Sequence, residues 1–161
     1  MDGFTVVFDK IVDQITIPVI VEHNKYSSKL LALIDTGAMH STIPAHVAKT
    51  FGLEKTRVVG TRFAKGRDIL PVVRANLIFS NKVYFKDKDF IVIDNEDCTY
   101  DMIIGLDILS QGDTAISNYS EHTTFTFRKP SQAEVIYSDD LITNESIDYL
   151  MNKIEDDLLS T

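Results

Sequence analysis

Apolar and polar residues alternate along much of the first 128 positions. Ile15, Ile17, Val19 and Val21 alternate with Gln14, Thr16, Pro18 and Ile20. A period of two places every second side chain on one face, which is the signature of a strand. Pro18 has no N–H to give a neighbour, so it predicts a sheet edge or a bulge. His23-Asn24-Lys25 supplies a turn, and residues 29–34 read as the next strand. Residues 4–12, 58–63, 69–79, 90–93, 102–104 and 123–127 read as further strands. In the last of these Phe125 and Phe127 alternate with Thr124, Thr126 and Arg128, giving one apolar face.

Two short helices interrupt the strands. Pro44 suits a first helical position, where a missing N–H costs nothing, and Gly52 suits the residue just past the end. Between them Val47, Ala48 and Phe51 form one apolar stripe. The second helix is expected at residues 106–110, after Gly105, with Asp107 in its first turn complementing the helix dipole. The tail differs. Residues 130–138 read as a linker. Beyond it Ile147, Leu150, Met151, Ile154 and Leu158 recur at helical spacing, with Asp139, Asp140 and Glu145 near the start. This helix is expected to complete the core, though it could also cap a dimer or lie over a cleft. The pattern predicts an all-β domain over 1–128, and a linker and C-terminal amphipathic helix over 129–161.

Composition narrows the function classes. The chain has 161 residues, 44% of them hydrophobic and 25% charged, enough for one domain with a real core. Its net charge of −8 opposes nonspecific nucleic-acid binding. Cys98 is the only cysteine, so no intrachain disulfide forms, and a reducing, cytoplasmic compartment fits. Met1-Asp2-Gly3-Phe4 lacks the basic start and apolar core of a secretory signal. No apolar run is long enough to span a bilayer. His23, His40, His46 and His122 show no metal-ligand spacing with Cys98 or nearby acids, and Cys98 has no evident base partner. No metal, cofactor or membrane partner is expected.

One acid stands out. Asp35-Thr36-Gly37-Ala38 follows the apolar run Leu30-Leu31-Ala32-Leu33-Ile34. A carboxylate at the end of a buried strand needs a reason, because isolated buried charge is expensive. Two such carboxylates brought together can share a proton and activate water. The bland alternative is a strand-end turn, since Asp, Thr and Gly all favour turns. Chance alone yields this tripeptide in about one chain in thirty of this length.

The surrounding residues carry a resemblance. The string Leu31-Ala32-Leu33-Ile34-Asp35-Thr36-Gly37-Ala38-Met39-His40-Ser41-Thr42-Ile43-Pro44 resembles the active-site segment of retropepsin-like aspartic proteases. So does Met102-Ile103-Ile104-Gly105-Leu106-Asp107-Ile108-Leu109 later in the chain. The Gly-Leu-Asp form is more similar to the retroviral-protease-like domains of cellular and bacterial proteins than to viral enzymes, which commonly carry Gly-Arg there. The resemblance spans residues 14–127. It implies a retropepsin-like fold, half of a pepsin-like bilobal one, and an aspartic endopeptidase. Asp35 would be catalytic. Thr36 would brace two loops across a homodimer, Gly37 would offer its backbone to a peptide or protein substrate, and Ala38 would complete the loop. Ile103, Ile104 and Gly105 would pack behind it.

The resemblance also implies a dimer. A pepsin-like chain carries two Asp-Thr/Ser-Gly motifs, and this chain has one; Gly112-Asp113-Thr114 has the residues in the wrong order. One copy cannot build a dyad alone. A flap over the substrate is expected at residues 58–73, with Gly60 and Gly66 as flexible points and a tip near Ala64 and Lys65, although the same residues would suit an ordinary hairpin. Viral relatives commonly have acids at the positions of Met39 and His40, so substrate binding is expected to differ here. His40 could contact substrate or be plain surface. The competing function is a catalytically silent dimer that binds peptides in the same groove. A third is a monomer idle until a partner arrives.

Overall fold

The computed structural model describes residues 2–63, 66–79, 83–94 and 98–132. The proposed tail helix and the flap tip, Ala64 and Lys65, lie outside the described residues. Ten strands form two sheets. The strands are β1 (Asp2–Val7), β2 (Thr16–His23), β3 (Tyr26–Ile34), β4 (Thr42–Pro44), β5 (Arg57–Phe63), β6 (Gly66–Phe79), β7 (Val83–Ile93), β8 (Met102–Ile104), β9 (Asp113–Ser117) and β10 (Thr124–Lys129). Among the described residues there are also two short α-helices, α1 (Ala45–Thr50) and α2 (Leu106–Leu109), and one turn of 3-10 helix at Tyr119–Glu121. No helix among the described residues is long and apolar enough to cross a membrane. The architecture is all-β and single-domain, as the alternation predicts.

The larger sheet runs β4-β7-β6-β2-β3-β8, with β5 paired to β6. The β2–β3 hairpin follows its sequence pattern. Ile17, Val19 and Val21 on β2, and Leu30, Ala32 and Ile34 on β3, are all buried on the core side. Asn24 turns between the strands with φ 52°, a left-handed conformation that Asn tolerates better than most residues. Pro18 is not on an edge strand, because β2 lies between β6 and β3. It pairs with Leu31 of β3, but the pairing with β6 begins one residue later, at Val19. Among the described residues β2 therefore has a partner on one side only at Pro18.

The smaller sheet runs β1-β10-β9. It is joined to the larger one by an aromatic cluster. Phe4 of β1 lies 5.4 Å from Phe79 of β6, and Phe127 of β10 lies 5.7 Å from Phe79 and 6.1 Å from Phe85 of β7. The buried phenyl faces of Phe125 and Phe127 are those that the Phe/Thr alternation assigns inward.

Several boundaries differ from the sequence expectation. β1 stops at Val7 rather than continuing to residue 12, because the chain then wraps Thr123. Phe8 donates its N–H to the Thr123 carbonyl, Thr123 donates its own to Lys10, and Val12 donates to Thr123 Oγ1. Pro44 is not the first helical residue; it ends β4 and caps α1 with extended dihedrals. Gly52 does follow the helix, with φ 63°. β7 begins at Val83 rather than at residue 90, and β4 and β9 were not expected at all.

Candidate active site

β3 delivers Asp35 to the end of the sheet, and β8 runs parallel beside it, pairing Ala32, Leu33 and Ile34 with Met102, Ile103 and Ile104. That pairing fixes the acid's backbone, because the Asp35 N–H donates to the Ile104 carbonyl at 3.0 Å. The chain then turns tightly. Ala38 donates its N–H to the Asp35 carbonyl at 3.2 Å, and Gly37 donates its own to Asp35 Oδ1 at 2.8 Å. Oδ2 takes no hydrogen bond from the described residues. The carboxylate is half-buried, oriented by one backbone amide and open on its other side. Thr36 and Gly37 are exposed beside it.

The loop is held from behind by the start of α2. Leu106 donates its N–H to the Ala38 carbonyl at 2.8 Å, Gly105 to Ser41 Oγ at 3.0 Å, and Ile103 to Thr42 Oγ1 at 2.9 Å. Gly105 must be glycine for this approach. A Cβ there would stand 2.7 Å from the Ala38 carbonyl oxygen and 3.0 Å from the His40 backbone. Of the three residues expected behind the loop, Ile104 and Gly105 are buried and Ile103 is half-buried.

Asp107 has a part that its helix position did not foretell. Its Oδ1 accepts the Ser41 hydroxyl at 2.7 Å and its Oδ2 accepts the Ser41 N–H at 3.0 Å. Ser41 is 1% exposed, so a carboxylate accepting both of its donors meets a need that water cannot. Gln111 closes the arrangement by donating to the Asp107 carbonyl at 2.7 Å. Ser41 and Asp107 are 66 positions apart, and only their shared place in the two resembling motifs hinted at the link.

Tyr100 is a second residue that sequence reasoning missed. Its phenol is held above its ordinary pKa, first by burial, then by a hydrogen bond with Cys98 and by the negative charges of Cys98 and Asp35. Met39 and His40 are both exposed on the loop, Met39 at 73%. Gly60 and Gly66 fall in the β5–β6 hairpin, which pairs from Arg57 with Val72 out to Phe63 with Gly66.

Known proteins resemble this chain in sequence family and in fold. The family model described as gag-polyprotein putative aspartyl protease matches residues 19–111, more than half of the chain. A retropepsin-like aspartic protease from Rickettsia conorii superposes with a TM-score of 0.51 at 16% identity, covering 78% of this chain and 92% of that one. The EIAV protease, solved with the inhibitor HBY-793, gives 0.52 at 19% identity, covering 65% and 92%. The retroviral protease-like domain of Ddi1 from Leishmania major gives 0.44 at 20% identity, covering 71% and 94%. Curated protein sequences gave no match. The family match and the shared fold, with Asp35-Thr36-Gly37 inside the matched segment, place this chain in the retropepsin-like aspartic protease family.

Proposed function

We propose that the protein is an aspartic endopeptidase that acts as a homodimer, each copy giving one Asp35 to a shared dyad. The observation that carries this reading is the pinned loop. Asp35 is oriented by the Gly37 amide and open on Oδ2, while β8 and α2 hold the backbone around it. Such rigidity is what a reacting carboxylate needs. Two carboxylates at hydrogen-bond range cannot both ionise, so the pair keeps one proton and titrates as a unit. The ionised member takes a proton from water, and the water oxygen attacks the scissile carbonyl. The protonated member gives its proton to that carbonyl oxygen. Collapse of the resulting tetrahedral diol then breaks the C–N bond, with a proton passed to the leaving amine. No acyl-enzyme forms, and no cofactor enters the steps.

Other features support the dimer and the flap. The outer edges of β1 and β9 are unpaired among the described residues. Val7 and Ile116 are exposed there, and open edges of this kind invite further strands. Thr36 is exposed beside Asp35, and in the dimer it would brace the partner's loop. The β5–β6 hairpin exposes Val58 and Ile69, the latter at 76%, which suits a flap that closes over a peptide. The single cysteine fits the cytoplasm, the compartment we assign.

The test is incubation of purified protein with a diverse peptide mixture between about pH 4 and 7, beside Asp35→Asn. Cleavage by the parent that the variant lacks is expected. A confirmed dimer that binds peptides but cleaves none would overturn the enzyme reading in favour of a binding module.

A further inference from the structure

The outer face of the large sheet departs from the alternation that shapes its inner one. An antiparallel strand with one face on the core usually turns polar residues outward. On β2 the inward residues are Ile17, Val19 and Val21, while Pro18 and Ile20 face the other way. Strand pairing carries this outward row across four strands. Pro18 stands opposite Leu31 of β3, Ile20 opposite Ile78 of β6, and Ile78 opposite Tyr84 of β7. Directly paired residues share a face, so Leu31, Pro18, Ile20, Ile78 and Tyr84 form one apolar stripe. Ile20 is 39% exposed and Tyr84 45%. A continuous apolar stripe open to water marks a surface that another group covers.

The described chain ends close to one end of this stripe. Lys129 lays its ammonium 4.2 Å from the centre of the Phe85 ring, next to Tyr84 on β7. Three residues later Gln132 donates its N–H to Asp113 Oδ2 at 2.8 Å. From Val83 to Lys88, β7 pairs with β6 alone among the described residues, since β4 joins it only at Ile91, Val92 and Ile93. That edge is therefore open to a chain passing from the core side to the outer face. Residues 133–146 span about 46 Å when extended, ample for the passage.

The sequence beyond matches the stripe in length and charge. As a helix, residues 147–158 are about 18 Å long, and the stripe crosses three strand spacings, about 14 Å. Ile147, Leu150, Met151, Ile154 and Leu158 share one side of that helix, with Glu155 and Asp157 bordering it. Lys29, opposite Ile20, and Lys86, two residues past Tyr84, border the stripe. Glu22 is an acid on the same face, whereas the segment sets Asp148, Glu155, Asp156 and Asp157 against Lys153. We propose that residues 147–158 dock as a helix on the outer face of their own chain's large sheet, apolar side against Leu31, Pro18, Ile20, Ile78 and Tyr84. Docking a helix on a sheet face in this way buries both apolar surfaces at once.

The experiment uses the full chain with Cys98→Ser, which removes its one thiol. A new thiol is placed on the stripe by Ile20→Cys, or in the exposed β2–β3 turn by Lys25→Cys. Maleimide should label the stripe thiol about tenfold more slowly than the turn thiol, because a docked helix exposes it only while lifted. Leu150→Asp together with Ile154→Asp should abolish that difference. Equal rates with the tail intact overturn the inference. So does slow labelling that the tail substitutions leave unchanged, the result if a second copy or a bound peptide covers the face. A benzophenone attached through Lys29→Cys tests the same contact with no change in the tail. On illumination its adducts should fall within residues 147–158. In a mixture of isotope-labelled and unlabelled chains, those adducts should join light to light and heavy to heavy. Adducts at other residues, or between light and heavy chains, overturn it.

Discussion

Ser41 and Asp107 fix the active-site loop more than any residue of the Asp-Thr-Gly motif does. Ser41 donates its N–H and hydroxyl to the Asp107 carboxylate, accepts the Gly105 N–H, and accepts Ile91 at its carbonyl. Asp107→Ala would leave two donors of a buried serine without an acceptor. It should cost about 1–3 kcal/mol in stability, measured by urea unfolding. Asp107→Asn keeps one acceptor oxygen and should lose less. Equal losses in the two variants would show that the side chain's volume matters there, not its hydrogen bonds. Asp35 itself was legible in the sequence, since an acid ending an apolar run is a local signal. The Ser41–Asp107 link was not, because it joins distant positions and leaves no periodic trace.

At the scale of elements, the β5–β6 hairpin is anchored where Arg57 and Arg74 meet Asp89. Partial burial pushes the Asp89 pKa up, but the hydrogen bonds and charges of Arg74 and then Arg57 outweigh it, so it lies below the usual carboxylate value. A depressed carboxylate stabilises the fold above its unfolded pKa of about 3.9, and that contribution is lost as pH falls through the folded value. Stability of the parent should therefore drop on acidification below about pH 4 more steeply than that of Asp89→Asn. The difference should shrink in about 1 M salt, because both arginines are half-exposed. Parallel slopes in the two proteins would contradict the anchor. β2, β3 and β8 could be read from sequence because alternation or a continuous apolar run marks their buried faces. β4 is three residues, all buried, so no alternation shows. The first half of β7 was masked by Lys86-Asp87-Lys88-Asp89. There the register shifts opposite Ala75 and Leu77, Asp87 adopts φ 52°, and its N–H is held by Asn76 Oδ1 at 3.0 Å. An irregularity of this kind breaks the period of two on which a strand reading depends.

At the scale of the molecule, one chain gives one Asp35, one pinned loop and a three-stranded sheet whose two edges are open among the described residues. Phe4, Phe79, Phe85 and Phe127 tie that small sheet to the large one, so its edges are held in a fixed place relative to the loop. A symmetric pairing of two copies would bring two identical loops together, and the proposed chemistry exists only there. Subunit mixing tests this most directly. Parent and Asp35→Asn chains are refolded together in varied ratios, and peptide cleavage is measured at constant total protein. If each site needs both copies of Asp35, activity follows the square of the parent fraction, and an equal mixture retains about one quarter. A linear fall, with about one half remaining in the equal mixture, would mean that each chain works alone and would contradict the shared dyad.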